Sequence, residues 1–227
     1  MTIWSQKGAV MPKQTFFNLP DAKRRLIIDT ALEEFAFNTY DKASLSQIVL
    51  KAGIAKGSMY QYFNDKDELY TYLVEYVSEK KLSFINEALP QLRNDFFLLY
   101  KEVIFVAARF DIINPLYSSF LYSVGKDSHN PAISKKIMAS SASFIEQMLE
   151  KAYSQGQIRK DINIKLAAFI ISYLSVDVGE YIGEKYGFSY LSVLKSKLPN
   201  VPISDNQLEE VLDELIDFIK RGIASTI

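Results

Sequence analysis

The chain has 227 residues, 48% hydrophobic and 23% charged, with a net charge of −1, an ordinary globular composition with room for one large or two small domains. Zero cysteines exclude disulfides and thiolate metal sites and fit a reducing cytoplasm. The single histidine, His129, excludes a His-rich metal site and leaves any His-dependent catalytic triad with one candidate base.

Residues 1–18 show no periodicity and read as a flexible arm, in which Met11-Pro12-Lys13 resembles an alternative start and Lys7 and Lys13 could reach a nucleic-acid backbone. Asn18-Leu19-Pro20-Asp21 opens a first helix, with Pro and Asp where a helix start favours them. Ile27, Ile28, Ala31, Leu32 and Phe35 form its apolar stripe; Lys23, Arg24 and Arg25 lie near its beginning, as solvated charge or as flanking phosphate contacts. It ends near Asn38, and residues 39–42 connect it onward.

Ser44 is a hydroxyl N-cap candidate before Leu45, Ile48, Val49 and Ala52, and Gly53 follows where a helix stop wants positive φ. A second short helix runs from about Ala55 to Phe63 with Met59 and Phe63 facing inward. Its other face carries Lys56, Ser58, Gln61 and Tyr62 and no acid, a set that suits phosphates and base edges. Helix, tight turn and polar second helix make a helix-turn-helix. Residues 12–66 hold 8 Lys/Arg against 6 Asp/Glu, and residues 67–227 hold 17 against 21, so attraction to phosphate rests on a few placed cations.

Asn64-Asp65 caps a fourth helix from about Lys66 to Leu89, apolar at Leu69, Tyr72, Leu73, Tyr76 and Val77. Breaks at Asn114-Pro115, Asn130-Pro131, Gly156 and Pro199 then divide helices at about 92–112, 116–125, 131–155, 163–186 and 204–222, with a less certain segment at 188–197. Asp161 and Ser204 are N-cap candidates. No strand alternation or repeat survives, so the expected class is all-α. Residues 166–182 are apolar on nearly all sides, and Leu208, Val211, Leu212, Leu215, Ile216 and Ile219 form a wide stripe opposite acids on the last helix. There is no 18-residue apolar run and no hydrophobic leader in residues 1–10, so no membrane segment is expected.

From Asp21 to Leu69 the chain resembles the DNA-binding domain of the TetR family of bacterial transcription regulators. The match is carried by Ile28, Ala31, Leu32 and Phe35, then Tyr40, Leu45, Ile48, Ala52-Gly53-Ile54, Lys56-Gly57-Ser58-Met59-Tyr60, Tyr62-Phe63, Lys66 and Leu69. Thr39, Gln47 and Ala55 depart from the family pattern, Ala55 by removing a helix cap and a phosphate contact. The resemblance implies an arm over 1–18, a DNA-binding domain over 19–66 and a helical effector-binding and dimerisation domain over 67–227. It implies a homodimer on a palindromic operator in double-stranded DNA, with a small lipophilic effector causing release and no cofactor or metal.

Carried over by position, Ser44 donates to phosphate and Ser46 is placed toward a base. Lys56, Gly57 and Ser58 open the recognition helix, Gln61 pairs with adenine, Tyr60 and Tyr62 give hydroxyl contacts, and Lys66 holds phosphate. The family's four-helix dimer bundle falls on Leu166, Phe169, Ile170 and Tyr173 with Leu208, Val211, Leu212, Leu215, Ile216 and Ile219. The aromatic-rich stretch 96–125 supplies effector candidates Phe105, Arg109, Tyr117 and Phe120, with Tyr173, Met138 and Met148 weaker; core aromatics and an acid-paired Arg109 are the alternative. An activator of the same fold and a helical interaction protein without DNA reading are the other readings. An enzyme is disfavoured because no Gly-rich phosphate loop or metal-ligand spacing occurs.

Overall fold

The computed structural model describes residues 12–89, 95–126, 129, 131–198 and 201–225. Among them the chain is all helical: α1 (Gln14–Phe17), α2 (Asp21–Phe37), α3 (Leu45–Lys51), α4 (Lys56–Tyr62), α5 (Lys66–Ala88), α6 (Phe96–Ile113), α7 (Pro115–Lys126), α8 (Pro131–Ser154), α9 (Ile164–Tyr186), α10 (Tyr190–Lys195) and α11 (Asp205–Ile223). The one β feature there is an isolated bridge between Ile158 and Ala224.

The helix ends follow from local chemistry. Ser44 Oγ accepts from Gln47 N at the start of α3, and Asp65 Oδ1 accepts from Glu68 N at the start of α5. Ser204 and Gln207 form a reciprocal capping box on α11. Asp161 does not cap α9. Asn163 does, accepting from Leu166 N, while Asp161 pairs with Arg159.

The chain divides into two compact units. One holds the residues up to Lys81 with Pro115–Ser134; the other holds Leu82–Asn114 with the residues from Lys135 onward. The first therefore runs past the boundary read at residue 66. Leu69, Tyr70 and Leu73 of α5 are buried, and the Tyr70 ring lies 5.0 Å from Phe35 of α2 and 5.7 Å from Phe120 of α7. The second unit has its own core, with Tyr100 and Ile104 of α6, Leu149 of α8, Ile171 of α9, and Leu208, Leu212 and Ile219 of α11.

The segment read as a flexible arm is ordered over its described part. Phe16 of α1 is fully buried between Tyr62, Phe63 and Tyr72. Arg24 donates to the Phe17 and Leu19 carbonyls and pairs with Asp21, which ties α1 to α2 and takes Arg24 out of the candidate phosphate contacts. Residues 1–11, with Lys7, lie outside the described residues.

Candidate nucleic-acid interface

Two short helices and the turn between them build this site. After Lys51 the backbone reverses through Gly53 at φ 62°, in the left-handed region where a side chain is strained. Gly53 N donates to Leu50 O at 3.2 Å and Ile54 N to Val49 O at 3.0 Å, the paired bonds of a Schellman stop. Ile48 and Val49 of α3 and Met59 and Phe63 of the α4 segment close the interior side. This packing leaves a defined outer side on α4.

That side is acid-free. Lys56, Gly57, Tyr60 and Gln61 are exposed and Ser58 is half-buried. Ala55 gives α4 no side-chain cap, as its residue type implies. Gly57 has open space where a Cβ would stand and no positive φ, so nothing in its own fold requires glycine there. Ser46 is exposed and Ser44 half-buried on α3. Lys42, in the turn before α3, is exposed beside them. By sequence it belongs only to the connection over residues 39–42.

Two of the predicted contacts are turned elsewhere. Tyr62 is 6% exposed, with its ring 5.9 Å from Phe16, so the ring packs inward and not on the outer side with Gln61. Tyr60, 46% exposed, takes that place. Lys66 is half-buried; its Nζ donates to Tyr40 O at 2.8 Å and Ala43 O at 3.2 Å and lies 4.2 Å from the Tyr40 ring centroid. Both carbonyls belong to the α2–α3 connection, so the ammonium ties the start of α5 to that connection.

A polar cluster sets the same connection. Glu34 is buried, and its Oε1 accepts from Ser44 N at 3.0 Å and from Asn38 Nδ2 at 3.3 Å. The His129 ring stacks on Tyr40 at 3.5 Å and 10°, with Nε2 2.9 Å from Asp67 Oδ1 and Nδ1 3.7 Å from Asp41 Oδ1. Burial, then the hydrogen bond to Asp67, pushes the Tyr40 hydroxyl well above its ordinary value. Asp67 is held below the usual carboxylate range, first by the bond from Tyr40 and then by that from His129. His129 thus serves as a contact between the α7–α8 connection and the start of α5.

The effector candidates are not gathered within either unit. Phe120 is fully buried against Phe35 and Tyr70, and the Tyr117 ring stands 6.3 Å from Tyr76, all in the first unit. In the second, Arg109 Nη1 bonds Asp205 Oδ2 at 2.7 Å, the acid-paired alternative, and Phe105 packs on the core. Tyr173 is on the outside of α9. The interface candidates separate as well. Leu208, Val211, Leu212, Ile216 and Ile219 are buried in their own unit, and Leu215 packs on that core while staying partly exposed. Leu166, Phe169, Ile170 and Tyr173 stay about half exposed, on a stripe that continues through Val176 to Tyr181.

The sequence model of the family described as "Bacterial regulatory proteins, tetR family" matches residues 27–73. YvdT of Bacillus subtilis, an HTH-type transcriptional regulator, is 28% identical over 222 residues, covering 95% of this chain and 100% of that protein. The crystal structure of a TetR family transcriptional regulator from Chloroflexus aurantiacus aligns with a TM-score of 0.80 at 30% identity, covering 95% of this chain and 100% of the other. SmeT, the repressor of the Stenotrophomonas maltophilia multidrug efflux pump SmeDEF, shares the fold at a TM-score of 0.67 and 15% identity, over 92% and 93% of the two chains.

Proposed function

The chain belongs to the TetR family of bacterial transcriptional regulators, and from that premise we propose that it is a cytoplasmic repressor, bound to a palindromic operator as a homodimer and released by a small lipophilic effector. The observation that carries DNA reading is the outer side of α4. It places a cation, a hydroxyl, an amide and an exposed tyrosine ring together without an acid, opposite a packed interior side. Lys56 and Ser58 serve the first bases, Gln61 an adenine, Ser46 a further base, Tyr60 a phosphate or thymine methyl, and Ser44 and Lys42 the flanking backbone.

Dimerisation is proposed through the exposed stripe of α9, because a helix-turn-helix monomer needs a two-fold partner to read two half-sites. Phe218 of α11, 71% exposed, is a further apolar side chain open to a partner. Repression is favoured over activation by the likeness to SmeT, a repressor of the same fold. A lipophilic effector is favoured by α6, where only Lys101, Glu102, Arg109 and Asp111 interrupt an apolar helix.

The test is selection of bound duplexes from a random-sequence pool by the full chain, followed by a Gly57→Ala variant. Alanine meets no neighbour at this position and favours a helix by about 1 kcal/mol, so the variant should fold at least as stably. Its affinity for the selected duplex should fall about tenfold because the added methyl stands between backbone and DNA. Unchanged affinity would remove this side of α4 from the interface. Recovery of no duplex above background would reject sequence-specific reading.

A further inference from the structure

A helix leaves its last four carbonyls without partners of its own, and seven residues are far fewer than an isolated helix needs in water. The end of α4 is completed from outside the helix-turn-helix. Met59 O is taken by Phe63 N. Lys13 Nζ donates to Tyr60 O at 2.8 Å, the Thr15 hydroxyl donates to Gln61 O, and Lys13 N donates to Tyr62 O at 2.9 Å. Three successive carbonyls thus find donors in Lys13 and Thr15. The Lys13 charge also sits at the negative end of the helix. Phe16, 0% exposed, anchors the segment with its ring 5.0 Å from Phe63 and 5.5 Å from Tyr72. Arg24 fixes the far end through Phe17 O and Leu19 O.

Tyr60 and Gln61 are two of the side chains assigned to DNA, and their own carbonyls are the ones held. We propose that Lys13–Phe17 is a strap that sets the reading position of α4, with Lys13 and Thr15 as positioning residues for sequence discrimination. This rests on the DNA-reading function proposed above. A strap of this kind acts on discrimination, because only base contacts need α4 in register. Phosphate contacts made by other cations tolerate a frayed helix end.

The test uses the full chain carrying Lys13→Met and Thr15→Val together, which removes two donors and keeps the Phe16 anchor. Thr15→Ser, which retains the hydroxyl, serves as the conservative control. Amide hydrogen exchange without DNA should quicken about tenfold at Tyr60–Phe63 and stay unchanged at Ile48–Lys51. Affinity for the duplex selected by the native chain should fall about tenfold, with random-duplex affinity within about twofold and the salt slope unchanged. Thr15→Ser should behave as the native chain. Equal losses on both duplexes with a shallower salt slope would make Lys13 a phosphate contact and overturn the strap, as would unchanged exchange at Tyr60–Phe63. Should the native chain select no duplex, the DNA reading itself fails; faster exchange would then leave a helix cap with no role in recognition.

Discussion

In α11, Leu208, Leu212 and Ile219 lie inside the second unit and acids occupy the opposite side. In α9, Ala168, Ile171 and Ile182 lie inside while Leu166, Phe169, Ile170, Tyr173, Val176 and Tyr181 stay 45–55% exposed. Both helices present wide apolar stripes, yet their demands differ. A helix apolar on one side needs one partner, and its own core supplies it. A helix apolar on nearly every side needs two, and the core of a single chain covers only one of them. The uncovered remainder is a contiguous apolar surface of the kind that marks an interaction site. A stripe therefore says that a face will be covered, and only the count of stripes against available neighbours says by what.

The largest expected effect comes from charging the uncovered side. Phe169→Glu with Ile170→Glu would place four unpaired carboxylates in the two-fold interface proposed on α9. The dimer dissociation constant should rise about a thousandfold or more, since an uncompensated buried charge costs several kcal/mol. Sedimentation at micromolar concentration should show monomers with native helix content. A dimer that survives would place the two-fold contact elsewhere. The reciprocal change is Leu212→Ala on α11, where the side chain is fully buried. It should lower unfolding stability by roughly 2–5 kcal/mol through the cavity it leaves, read from denaturant melts at a concentration where dimers persist. Loss of the dimer without loss of stability would mean that α11 contributes the interface and α9 does not.

The same contrast explains what the amino-acid sequence disclosed. Several helix ends set by a local group were legible: Gly53 at its positive φ, Asp65 under Glu68 N, Ser204 with Gln207; at α9 the cap fell two residues later than read, on Asn163 instead of Asp161. The inward pair Met59 and Phe63 was legible from helical spacing. Tyr62 was not, because in a seven-residue helix it borders both sides, and the deciding neighbour is Phe16, 46 residues earlier in the chain. Phe16 was itself hidden, since four residues of α1 are too few to show a period. Two adjacent phenylalanines, Phe16-Phe17, in an otherwise polar stretch were the available signal. Lys66 looked like a phosphate contact by position, and only the folded α2–α3 connection brings the Tyr40 and Ala43 carbonyls to its ammonium.

The smallest expected effect concerns the polar side of α11. Lys101 Nζ lies 2.6 Å from Asp213 Oδ1 and 3.9 Å from Glu209 Oε2, and Arg109 bonds Asp205 at 2.7 Å, so the cations of α6 answer the acids of α11 at successive turns. The geometry is ordered, but the carboxylates are more than half exposed, and exposed pairs contribute about 0–1 kcal/mol each. If the apolar stripe holds α11, Lys101→Met with Arg109→Met should shift stability by no more than about 1 kcal/mol. Melts of the native chain in 0.05 M and 0.5 M salt should differ by a similarly small amount, because the screening length at the higher salt is only a few ångströms. A loss comparable with that of Leu212→Ala would mean that the ion pairs hold α11 against α6. The stripe would then be an incomplete account of why this helix stays with its own chain while α9 keeps a face outside.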